Sequence, residues 1–111
     1  MSSSDLAKKS WQAVEKRFRN NELLSKVIVF VKSSDKEAIC HASSSLEALS
    51  ISTEHRHDSA YDVLVLEEVS GDLNIRWYEK DKDYFEFQSK KHGLEKFKEC
   101  FGIYCEKNSI G

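Results

Sequence analysis

The chain contains no proline and only four glycines. Neither a proline-rich linker nor an internal repeat divides it, and no G-x-G-x-x-G or P-loop offers backbone amides to a nucleotide phosphate. No apolar run approaches the roughly 20 residues needed to span a bilayer. The N-terminal MSSSDLAKKS lacks the charged, apolar, small-residue order of a secretory signal. The three cysteines are odd in number and too few for the disulfide framework of a secreted mini-domain. A cytosolic location is the expectation. Cys100 and Cys105 are close enough in sequence for a bridge, although buried, unreactive thiol is the commoner state.

What is present fits one folded domain. At 111 residues with 40% apolar content, the chain can build one core and is too short for two. The net charge of −2 hides a segregation. Asp5 to Lys26 holds six basic and three acidic residues, a balance of +3. Tyr61 to Gln88 holds three basic and eight acidic, a balance of −5; Ser89 to Lys107 returns to +2, from five and three. Such lopsidedness steers encounters with partners more than it shapes a fold.

Helix-forming periodicity opens the chain. Ser4 or Asp5 can cap a first helix whose Ala7, Trp11, Val14 and Phe18 fall on one stripe. Asn20-Asn21 reads as its stop. Lys26 to Lys32, a continuous β-branched and aromatic run, predicts a central strand buried on both faces. The next segment admits either a strand from Glu37 to Ala42 or a crossover helix from Asp35. The serines at 43–45 make a poor helix interior, which favours a hairpin and then a short helical turn at Leu46 to Leu49. Ser50 to Ala60 reads as loop or frayed strand.

The segment YDVLVLEEVSGDLNIRWYEKDKDYFEFQ, Tyr61 to Gln88, predicts three strands and two tight turns. Ser70-Gly71 supplies the first turn, with glycine free to adopt positive φ. Leu64, Leu66, Leu73, Ile75 and Trp77 then share one face. A three-residue loop, Asp81-Lys82-Asp83, adds Phe85 and Phe87 to it. The opposite face carries Val63, Val65, Arg76, Tyr78, Tyr84 and Glu86, neither clean core nor clean surface. A last helix is predicted from about Gly93 to Phe101, with Leu94, Phe97 and Phe101 inward and Gly102 as terminator. The expected fold is a single α+β domain over residues 1–111: an antiparallel sheet of about five strands packed against an N-terminal and a C-terminal helix.

Catalytic constellations are weak. His55, His57 and Asp58 lack the paired short spacings of zinc ligands, even with Cys100 and Cys105 in reach. Cys40 and His41 are neighbours that would point to opposite faces of a strand. No serine sits in a G-x-S-x-G elbow. The expectation is therefore no catalytic residue, no metal and no cofactor. Lys8, Lys9, Lys16, Arg17 and Arg19, with Lys90, Lys91, Lys96 and Lys98, could meet nucleic acid. A pI near 6.1 and the acidic sheet argue against that reading.

The acidic–aromatic meander is the stronger candidate. Arg76, Tyr78 and Tyr84 are residue types enriched at binding hot spots, and Glu79, Asp81, Asp83 and Glu86 would surround them with negative charge. This predicts a non-enzymatic protein-binding domain that inhibits a basic partner by steric and electrostatic occlusion. Toxin-neutralising immunity proteins, which cover the active site of a nuclease, are the analogous class. The alternative is a regulator that binds nucleic acid through its basic helices.

Overall fold

The computed structural model describes residues 3–53, 61–78, 89–92 and 94–108, with side chains described from residue 5 onward except in the segment 89–92. The first helix, α1 (Ser3–Arg17), buries Ala7, Trp11 and Val14, and Phe18 just beyond it, as the stripe predicts. Asp5 in its first turn and Lys16 and Arg17 in its last oppose the helix dipole.

Asn21 starts an element where a stop was expected. Its Oδ1 accepts a hydrogen bond from the Leu24 amide at 3.0 Å, capping α2 (Glu22–Ser33). The predicted strand at Lys26 to Lys32 is therefore helix. Leu24, Val27, Ile28 and Val31 are buried at i, i+3, i+4 and i+7, while Val29 is 56% exposed. The helical period becomes visible only when Leu23 and Leu24 are read together with the valines. Glu22 and Lys26 add an i,i+4 ion pair at 3.2 Å.

The expected strand at Glu37 to Ala42 is largely absent. The chain turns after α2, with Asp35 at φ 62, and enters β1 (His41–Ser45) only at His41, running on through the serines. Then β2 (Ala48–Ser52) occupies the residues expected to hold a helical turn and a loop. Strict alternation in Ala48-Leu49-Ser50-Ile51-Ser52 carries that strand: Leu49 and Ile51 are fully buried. The meander continues as expected through β3 (Val63–Val69) and β4 (Asp72–Tyr78). Ser70 and Gly71 join them with φ of 53 and 85, the sign pattern of a type I′ turn. The expected loop Asp81–Asp83 and the strand through Phe85 and Phe87 lie outside the described residues. A short β5 (Ser89–His92) pairs with β4.

The sheet order β1-β2-β3-β4-β5 is the chain order, and every neighbouring pair is antiparallel. Register aligns Ala42, Ile51, Leu64 and Trp77 in one row, and Leu49, Leu66 and Ile75 in the next. These join α1, α2 and α3 (Leu94–Lys107) in one apolar cluster. The last helix runs past Gly102, which was expected to end it. Phe97, Phe101, Tyr104 and Cys105 extend the buried stripe, and that packing outweighs the roughly 1 kcal/mol cost of an internal glycine. The described residues thus hold three helices rather than two, packed with the sheet in one apolar cluster.

Candidate interaction surface

The face of the sheet turned away from the helices is defined by register. Ser43, Ser50, Val65 and Arg76 form one row across it, and Ser45, Ala48, Glu67 and Asn74 form another. Ser43 and Ser45 are exposed, and the remaining members are half-buried. The row His41, Ser52, Val63 and Tyr78 lies at one end, where the first three are buried and Tyr78 is half-buried. The mixed character read from the sequence is what the burial pattern shows.

Two predicted site residues can be placed here. Arg76 Nη1 donates to Tyr78 Oη at 3.4 Å, and Nη2 lies 3.8 Å from the Glu67 carboxylate. Cross-strand and i,i+2 neighbours on its own sheet therefore engage the guanidinium. Glu79, Asp81, Asp83, Tyr84 and Glu86 lie outside the described residues.

A residue not singled out from the sequence stands at the β1–β2 turn. Leu46 has φ 55 and is 87% exposed, although it is the first residue of a two-residue hairpin turn that favours glycine. Arg17 fixes this tip from α1, donating to the Leu46 carbonyl at 3.1 Å and lying 4.0 Å from Glu47. The signal for it lay in the alternation after Ala48, which makes a hairpin the only connection short enough to leave Leu46 at the apex.

Exposed cations are concentrated on α1 and the turn after it. Lys8, Lys9, Lys16 and Arg17 on the helix and Arg19 in the turn are all exposed. On α3, by contrast, Lys96 and Lys98 sit 3.4 Å from Glu99 and Glu95. A shallow groove of about 610 Å³ runs beside α2, floored by Val29, Phe30 and Leu94 and edged by Arg19, Lys26 and Lys98. Lys98 Nζ stands 5.3 Å above the Phe30 ring. Among the described residues Glu22 is the only acid in this lining, and it is paired with Lys26.

The buried polar groups have structural partners. Trp77 Nε1 donates to Asp62 Oδ2 at 3.2 Å, and Lys107 Nζ reaches the same oxygen at 2.8 Å. Tyr104 Oη donates to the Asp62 carbonyl at 2.8 Å, and burial drives its phenol well above the ordinary value. Cys40 is likewise pushed up, first by its hydrogen bond to Cys105 and then by burial. A thiol held protonated in this way is a poor nucleophile. His55, His57 and Asp58 lie outside the described residues. Among the described residues no group of three or more His, Cys, Asp or Glu side chains could hold a metal ion. None of the described helices is long and apolar enough to cross a membrane.

This α+β arrangement, in which the described residues form three helices packed with an antiparallel meander, defines the class only at the level of architecture. Comparison with protein-family models, with curated proteins and with solved structures yields no match.

Proposed function

We propose that this chain is a non-enzymatic protein-binding domain that neutralises a basic partner protein by covering it, as immunity proteins cover a toxin nuclease. The observation that carries the reading is the half-exposed sheet face opposite the helices, which displays the Arg76–Tyr78 pair and Val65. A rigid β-surface of aromatic, arginine and aliphatic groups loses little conformational entropy on docking. The strained, solvent-exposed Leu46 supplies an apolar knob suited to a partner's pocket. The −5 balance of Tyr61 to Gln88 favours a positively charged partner and accelerates the encounter. No group on the domain undergoes chemistry in this role; the partner is blocked by occupancy.

The test is affinity capture from native cell extract, followed by association kinetics with the captured protein. A variant carrying Asp81→Lys, Asp83→Lys and Glu86→Lys is expected to fold normally and associate more slowly, with a weaker dependence on salt. Unchanged rate and unchanged salt dependence would remove the acidic meander from the interface.

A second reading rests on the exposed cations of α1, which suit phosphate neutralisation. It requires binding to duplex DNA or RNA that weakens steeply between low and physiological salt. Absence of such binding leaves the protein partner as the reading.

A further inference from the structure

We infer that the groove beside α2 is a second docking site, which takes an acidic amphipathic helix of a partner protein. It is separate from the sheet face and opposite to it in charge. Leu24, Val27, Ile28 and Val31 of α2 fill the core, yet the apolar run continues between them, leaving Val29 56% exposed and Phe30 half-buried. A helix that is apolar on both faces is ordinarily covered on both. Lys26, Val29 and Ser33 recur at i, i+3 and i+7, so the outward stripe of α2 lines the groove. Leu94 and Lys98, one turn apart on α3, line it too, and Arg19 joins them from the turn between α1 and α2.

The floor is set before anything binds. Phe30 meets Phe97 edge-to-face at 5.9 Å and Phe101 at 6.2 Å, and Leu94 packs against the same core cluster. An apolar anchor laid on Val29, Phe30 and Leu94 removes hydrated surface at little ordering cost. Charge then selects the occupant. Among the described lining residues, Arg19, Lys26 and Lys98 face the single acid Glu22, on a chain whose net charge is −2. Existing ion pairs do not cancel this field. Glu22 lies 3.2 Å from Lys26 and Glu95 lies 3.4 Å from Lys98, but these carboxylates are 83% and 89% exposed. Pairs so solvated contribute little and exchange readily for an incoming acid. A shallow groove of about 610 Å³ suits the side of a helix with apolar anchors at i, i+3 and i+4 flanked by Asp or Glu. A fatty acid would offer its one carboxylate to several cations and leave its tail in an open groove. Nucleic acid would neutralise the cations and leave Val29 hydrated.

The probe is a fluorescein-labelled helical peptide of about 15 residues, with Leu and Phe at i, i+3, i+4 and i+7 and Glu on its polar face. Counterparts carry Gln or Lys in place of every Glu. Fluorescence anisotropy with the whole chain should show saturable binding of the Glu peptide that weakens with salt, and no binding of the Lys peptide. The Gln peptide should bind about tenfold more weakly. Val29→Glu, at an exposed position, should weaken binding of the Glu peptide about tenfold or more, as should Arg19→Glu with Lys98→Glu. Unfolding midpoints near that of the wild type check that these variants fold. Amide chemical-shift changes should cluster on residues 19–33 and 94–98. The variant with Asp81→Lys, Asp83→Lys and Glu86→Lys should bind the peptide as the wild type does, so failure of the sheet-face reading leaves this result standing. Absence of saturable binding by the Glu peptide overturns the site. So does undiminished binding by Val29→Glu, a shift pattern centred on the sheet face, or displacement by duplex DNA that binds Val29→Glu and wild type equally. Self-association of the free chain that Val29→Glu abolishes would give the groove to a second copy instead.

Discussion

A leucine held at φ 55 with most of its side chain in water is disfavoured twice, by backbone sterics and by hydration of apolar surface. Strain of this kind persists where the surroundings enforce it; here the two-residue turn sets the backbone, and Arg17 donates to the Leu46 carbonyl. Leu46→Gly removes the strain and sacrifices no buried contact. The variant should therefore gain about 1 kcal/mol of stability, read by thermal or urea unfolding, while losing affinity for the captured partner. Loss of stability instead would mean that the side chain packs on the fold. Trp77 presents the opposite case. It is 8% exposed, lies with its ring 5.5 Å from that of Tyr104 at a tilt of 60°, and donates to the buried Asp62 carboxylate. Trp77→Ala should cost roughly 3–5 kcal/mol in equilibrium unfolding. A cost under about 1 kcal/mol would contradict its place in the core.

Among the elements, α2 depends most visibly on one polar side chain. Asn21→Ala deletes the acceptor for the Leu24 amide and should destabilise the protein by about 1 kcal/mol, whereas Asn21→Asp should retain most of the stability. Equal unfolding midpoints for Asn21→Ala and wild type would show that the cap contributes nothing. The same residue explains what the sequence left illegible. Asn is as apt to end a helix as to begin one, and a run such as Val27-Ile28-Val29-Phe30-Val31 has no intrinsic period to tell a buried helix from a buried strand. Where an independent constraint existed, local reading succeeded. Parity and a Ser-Gly turn placed Leu64, Leu66, Ile75 and Trp77 on one face, and the stripe of α1 was plain from its spacing. Gly102 misled because propensity is a small term beside the burial of Tyr104 and Cys105. Of the candidate surface, the placement of Arg76 and Tyr78 on the face opposite Trp77 followed from that same parity. Leu46 was hidden by the expectation that three serines precede a helical turn.

At the scale of the whole molecule, its buried ionisable groups set a limit on alkaline stability. Tyr104 and Cys100 are raised first by burial, and Cys40 first by its bond to Cys105; all three keep their protons in the fold. Unfolded, the thiols ionise at 9.0 and the phenol at 10.0. Above those values the unfolded chain has released protons that the native state retains, so stability is intact below pH 9.0 and falls as pH rises. Cys105, being lowered, acts in the opposite sense: its contribution is present above 9.0 and fades as pH falls through its folded value. Melting temperatures measured in reducing buffer should decline above pH 9.0, and a flat profile there would contradict this account. The chain-ordered sheet also governs how the molecule is assembled. Each strand need only find the one synthesised just before it, and the two-residue turns of β1–β2 and β3–β4 close at small entropic cost and can zip up early. The last helix, α3, follows the layer that the earlier elements form; its seating should be a late step of refolding, and its amides should be the first helical ones to exchange with deuterated solvent.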